Sequence, residues 1–182
     1  MNHNRVMSIS ASLLIMMAIM MSAPVFGQTG KDNKIIEDSK SAKAEFIRTD
    51  GLMQSLFDHS HAYVIFPNVG KGGIGVGGAA GNGIVFENGK ATGSAKMKQV
   101  SVGFQFGGQA YREVIFFENE ESLERFKQNN LEFSAQASAV AATKGASANV
   151  KYRDGVMIFT QQKGGLMYEA SVGGQKFSYT AF

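Results

Sequence analysis

Cysteine is absent from all 182 residues. No disulfide can therefore form, and no cysteine-based zinc or iron–sulfur site is possible. A lipid anchor attached to a cysteine behind an export signal is excluded by the same absence. Histidine is nearly as scarce, with three copies at His3, His59 and His61. Net charge is small: 18 Lys+Arg against 15 Asp+Glu leave +3. So balanced a chain lacks the electrostatic footprint of a nucleic-acid binder, even with a pI near 9.1. Long apolar runs are also missing. Leu13 to Met21 is too short to cross a membrane as a helix.

That short run follows Arg5, and Val25-Phe26-Gly27 supplies a small-residue cleavage site before Gln28. The pattern is that of a secretory signal peptide. The expectation is a signal over residues 1–27, then a single domain over 28–182, exported to the periplasm or secreted. The exported part is long enough for a proper core.

From Asn33 to Asp58 the period is helical. Ile35, Ala42, Phe46, Met53 and Phe57 fall on one face, and Lys34, Lys40, Lys43 and Arg48 fall outside it. Thr49-Asp50-Gly51 interrupts the run, with Asp50 expected to cap a second, shorter helix. Two readings of the stripe are open: a helix packed on a sheet, or a basic-flanked helix lying on a membrane surface.

Glycine is what the chain has in excess. Thirteen of its 22 glycines lie between Gly70 and Gly108, among Ile, Val and Phe. A flexible linker would lack those apolar residues. Gly73, Gly75, Gly77, Gly81 and Gly83 share one strand parity, and Ile74, Val76 and Ile84 share the other. Alternate side chains point to opposite faces, so one face is smooth and the other apolar. Glycine weakens a strand unless something must approach closely or the sheet must bend.

Around this stretch, Tyr63 to Phe66 reads as a short strand ended by Pro67. Asn88-Gly89 marks a hairpin. Val100, Val102, Phe104 and Phe106 alternate with Gln99, Ser101, Gly103 and Gln105, and Lys96 and Lys98 share the apolar parity. Tyr111 to Phe117 reads as a buried strand, and Asn119 caps a short helix. Phe133 to Val150 fits neither period, and Val156–Thr160, Leu166–Val172 and Lys176–Phe182 read as strands. The expected class is α+β. It combines an N-terminal amphipathic helix, a short second helix and a strongly curved antiparallel sheet, open or closed into a barrel.

The chemistry-bearing motifs are weak. Gly73-Ile74-Gly75-Val76-Gly77-Gly78 matches a dinucleotide fingerprint in letters only. A strand and a hairpin turn follow where a helix should open, and no acid stands about twenty positions on. His59 and His61 with Asp58 make a poor metal set, and neither metal nor cofactor is expected. No nucleophile elbow occurs. Glu113 could be an active-site acid, but strand-edge pairing with Arg or Lys is commoner, so no enzyme is expected. A membrane-spanning β-barrel is disfavoured because Phe182 breaks the parity of Phe177 and Tyr179.

Several blocks in order resemble the SYLF family, a lipid-binding module of exported bacterial and eukaryotic membrane-traffic proteins. They are VIFPNVGKGGIGVGG, GNG at Gly81 to Gly83, SVGFQFGGQAYREVIFF from Ser101, NEESLERF from Asn119 and GGLMYEASVGGQKF from Gly164. The resemblance spans Ala62 to Phe182. It implies phospholipid binding without enzyme activity, and it tips Phe133 to Val150 towards strand. Gln136 stands where the family often has Asp, which puts any site built on that acid in doubt.

The expected partner is anionic phospholipid or a membrane surface, with no nucleic acid. The expected contacts are Lys40, Lys43, Lys71, Lys96 and Lys98, a basic rim beside the apolar parity of Val100 and Phe104. The alternative is a structural or protein-interaction domain whose glycine-rich face docks a partner, and ordinary solubilising lysines would then account for the charge.

Overall fold

The computed structural model describes residues 30–74, 76–102, 109–131, 138–163 and 169–182. The expected signal peptide at 1–27, together with Phe104, Phe106 and Gln136, lies outside the described residues. Helix α1 (Gly30–Thr49) and helix α2 (Met53–His59) precede strands β1 (Ala62–Ile74), β2 (Val76–Glu87), β3 (Lys90–Val102) and β4 (Gln109–Phe117). Helix α3 (Glu120–Lys127), β5 (Ser138–Ala141), a 3-10 turn (Ala146–Asn149), β6 (Val156–Gln162), β7 (Glu169–Ser171) and β8 (Gln175–Ala181) follow. The class is α+β.

One sheet holds eight strands in the order β7-β5-β6-β4-β1-β2-β3-β8. Its neighbours are antiparallel except β5, which runs parallel to β6. The sheet is therefore mixed rather than wholly antiparallel. It is also open, which corrects the barrel reading: among the described residues the edge strands β7 and β8 do not pair. Yet only Val172, Gly173 and Gly174 separate these two edges in the chain. So short a link reaches roughly 14 Å at most. The sheet must curl until its edges nearly meet.

Alternation sorts side chains to the two sides of the curl. Val64 and Phe66 of β1, Val85 of β2, Met97 of β3, Tyr111 and Ile115 of β4, Ile158 of β6 and Phe177 of β8 form one inner cluster. Helix α3 adds Leu123 and Phe126 to it. Asn119 caps that helix as expected, its side chain accepting from Ser122 N at 3.0 Å. Outside, Tyr63, Ile65, Ile84, Phe86, Val114, Phe116 and Phe159 pack beneath α1 and α2. Helix α1 buries Ile36, Ser39, Ala42 and Phe46, so its apolar face lies on the sheet and is not offered to a membrane.

Pro67 does not end β1. Register shifts against both neighbours between residues 65 and 69 mark a bulge there, where a missing N–H is tolerated. The bulge reverses parity, so Val69 points inward as Phe66 does. Asn88 and Gly89 form the expected two-residue hairpin turn, with φ of 50° and 75°. Of Phe133 to Val150, only Ser138–Ala141 is strand among the described residues. Asp50 is not the expected N-cap of α2, a position Leu52 holds without a side-chain cap bond. Asp50 instead accepts Leu52 N at 3.2 Å, and its other oxygen takes the amide and hydroxyl of Ser147 at 2.8 and 2.7 Å. Burial pushes this carboxyl up, but the Ser147 hydrogen bonds outweigh it and hold the pKa below its ordinary value. The helix pair is thereby pinned to the 3-10 turn.

Of the smooth glycine face, Gly81 and Gly83 point inward, and Gly75 lies outside the described residues. A Cβ on Gly83 would stand 2.6 Å from the Ile65 carbonyl oxygen and 2.7 Å from the Phe66 ring. One on Gly81 would meet Val69 Cγ2 at 3.0 Å. These positions are occupied by the protein's own residues, which removes them as a docking face. Across the same interior, Gln175 of β8 donates to Glu113 of β4 at 3.0 Å. Gln99 of β3 donates to the Gly173 carbonyl at 2.9 Å. Strands β4 and β8 are not sheet neighbours, so the first of these bonds spans the curl.

Two stability measurements follow from this interior. Gly83→Ala should cost about 1–3 kcal/mol because a backbone oxygen must move aside. Gly72→Ala, with nothing within 4 Å of the added carbon, should be neutral or slightly stabilising. Equal melting temperatures for the two variants would refute the close-approach account. Glu113 is 0% exposed, and burial pushes its carboxyl up from an ordinary 4.5 to about 7. The folded state then holds a proton that the unfolded chain has already released, so stability falls as pH rises through that interval. The loss is on the order of 3 kcal/mol. Glu113→Gln should flatten the profile, and a wild-type melting temperature constant from about pH 5 to 8 would contradict it.

Candidate functional site

Strand β3 divides its residues cleanly. Gly93, Ala95, Met97 and Gln99 are buried, whereas Lys96, Lys98 and Val100 are exposed on the opposite face. Val100 is 74% exposed, so the apolar parity read from the sequence faces away from the core at this point. The strand's neighbours extend that outer face. Lys98 lies between Ala80 of β2 and Lys176 of β8, and Lys96 lies between Asn82 and Ser178. All four neighbours are exposed. None of them is acidic.

Like charges directly opposite on paired strands repel and destabilise the pair. Lys98 and Lys176 are in that position, and among the described residues no carboxylate forms an ion pair with Lys96, Lys98 or Lys176. Four other cations do meet acids. Lys34 meets Asp38 at 3.2 Å, Lys40 meets Glu37 at 2.8 Å, and Arg48 meets Glu45 at 2.6 Å. Lys127 joins Glu87 at 3.1 Å. The outer face of β3 and β8 is thus a compact cationic surface with an exposed valine at its border. An anion can bind there without displacing a protein carboxylate.

The five lysines expected to act together fall in three places. Lys96 and Lys98 share the outer face just described. Lys71 pairs with Ala79, which pairs with the buried Gln99, so Lys71 takes the inner parity. Lys40 and Lys43 ride on α1, Lys40 in its ion pair. Lys43 turns towards aromatic rings, its Nζ 4.8 Å from the centre of Phe57 and 5.3 Å from that of Tyr63. Lys176 was missed. Its only sequence signal is alternation with Phe177, and nothing local says that it will stand opposite Lys98.

The other sites weighed from the sequence have plain positions. Glu113 lies sealed in the interior and reaches no surface. His59 Nδ1 lies 2.8 Å from the Ser55 carbonyl oxygen, and among the described residues no three His, Cys, Asp or Glu side chains gather as metal ligands. Among the described residues no helix is long and apolar enough to cross a membrane.

Residues 98–180 match the Ysc84 family model, described as "Las17-binding protein actin regulator". That range begins at Lys98 and takes in Lys176. Beta cell expansion factor A of Aeromonas veronii is 27% identical over 124 residues, which cover 67% of this chain. They cover 47% of that protein, so the chain matches about half the length of this curated relative. The ordered blocks read from the sequence overlap the matched range: over residues 98–180 this chain is similar to the Ysc84, or SYLF, family.

Proposed function

We propose that this protein is a non-catalytic lipid-binding domain, acting outside the cytoplasm, that docks on anionic phospholipid through the outer face of β3 and β8. One observation carries the reading: Lys96, Lys98 and Lys176 share an exposed sheet face, and among the described residues no carboxylate is paired to them. A lysine near an anionic membrane contributes roughly 1 kcal/mol. The exposed Val100 adds an apolar contact at the headgroup boundary. The bond spanning the interior keeps β8 beside β3, so the charges are presented on a stiff surface.

A second reading is a protein-interaction domain, favoured by the description of the matching family as Las17-binding. A partner would then meet the same cationic face with an acidic segment of its own.

Vesicle co-sedimentation separates the two. The wild type should sediment with phosphatidylglycerol vesicles at low salt and be released at high salt. Lys96→Glu with Lys98→Glu should weaken this by well over tenfold, since repulsion replaces attraction. A folded double variant with unchanged affinity would overturn the lipid reading at this face. Lys176→Glu gives a further check. It should raise the melting temperature slightly, by a few tenths of a kcal/mol in stability, because it converts a repulsive cross-strand pair into an attractive one. The same variant should bind vesicles more weakly.

A further inference from the structure

A separate cleft of about 250 Å³ opens where α1, the end of α2, the start of β1 and the Asn88-Gly89 turn meet. Lys43, Phe57, Asp58, Ser60 and Tyr63 supply its chemistry. Its floor is fixed. Tyr63 stacks on Phe86 at 5.1 Å and meets Phe57 edge-on at 5.0 Å, and Phe57 meets Phe116 at 4.8 Å. Such packing leaves the rings little freedom, so the polar groups above them stand on a rigid base.

Two opposite charges line this cleft without pairing to each other. Among the described residues Lys43 Nζ has only neutral company, the Tyr63 hydroxyl at 3.4 Å and the faces of the two rings. Asp58 accepts, among the described residues, only the Gln54 side-chain amide, at 2.9 Å to each oxygen. Ser60 Oγ is buried and has no hydrogen-bond partner among the described residues. Three other cations of α1, Lys34, Lys40 and Arg48, each meet an acid on the same helix. An anion alone would gain Lys43 and be repelled by Asp58. A cation alone would meet the reverse. A molecule with both charges satisfies both walls.

We propose that this cleft binds a small zwitterion, in which a primary ammonium and a phosphate or carboxylate lie a few bonds apart. The anionic end takes Lys43 Nζ and the Ser60 and Tyr63 hydroxyls, and the ammonium donates to Asp58. Phosphoethanolamine has this chemistry, either free or as the headgroup of a phospholipid. The site is independent of the basic face on β3 and β8, and either can fail without the other.

Titration of the full chain with soluble phosphoethanolamine, followed by calorimetry or NMR, tests the proposal. Binding should saturate and be at least about tenfold tighter than for ethanolamine or inorganic phosphate, each of which makes one charge contact. Asp58→Asn and Lys43→Gln should each lose about tenfold, while Lys96→Glu with Lys98→Glu should change nothing. Melting curves confirm that the variants are folded, and Ser60→Ala provides a milder probe should Lys43→Gln disturb the rings. Vesicles of phosphatidylethanolamine that compete with the soluble probe, where phosphatidylcholine vesicles do not, identify the lipid headgroup as the source. Saturable binding of phosphoethanolamine without competition identifies a free solute. Absence of saturable binding, or equal binding by Asp58→Asn, overturns the site.

Discussion

A chain that leaves one edge of an eight-stranded sheet and enters the other edge three residues later leaves that sheet no choice but to curl. Much else in this molecule answers to that constraint. Curling brings inward-facing side chains from several strands into one volume, so some positions must carry no side chain if others are to carry large ones. Gly81 and Gly83 vacate the space that Val69 and Phe66 fill. Phe66, Phe177 and Phe126 then pack in a row, with successive ring centres 6.0 and 5.1 Å apart. The near-closure also requires polar attachments where no ladder exists. Gln175 and Gln99 supply them, at the expense of a fully buried carboxyl group.

The outer side is divided by the helices. Where α1 and α2 lie, the sheet needs Ile, Val and Phe, and it has them at Ile65, Ile84, Val114 and Phe116. On β3 and β8 the outward positions are instead lysine, serine, threonine and one valine. A solvated face of this kind would be stable with mixed charges, which makes the one-sided basic choice informative. Placing Lys98 opposite Lys176 costs a little stability and concentrates positive potential on one surface. The interior provides the stiffness and the outer face provides the charge.

What could be read from the sequence was mostly what neighbouring residues decide among themselves. Asn88-Gly89 specifies its turn because both residues adopt left-handed backbone without help. Asn119 specifies its helix start because its side chain reaches an amide three residues on. The glycine stripe announced a bend and a close approach, as the interior bears out. Pro67 misled because a proline can be absorbed by a bulge, and only pairing with two other strands reveals one. The parallel pairing of β5 was hidden because it depends on a strand well downstream. The same limit applied to the basic face. Lys96 and Lys98 were visible through alternation, whereas Lys176 joins them through a register between segments far apart in sequence. Lys40 and Lys43 were grouped with them on charge alone, and neighbours such as Glu37 and the Phe57 ring decide what those two do.

The pairing of β8 with β3 also sets the order in which this protein can be made. The inner cluster is incomplete until Phe177 arrives, and the attachment to Glu113 waits for Gln175. Contacts between such distant segments form late, because the intervening loop must be closed first. An emerging chain would therefore expose Val64, Met97 and Ile115 for as long as its last strand is missing. Apolar surface exposed in this way favours aggregation until Gln175 and Phe177 arrive.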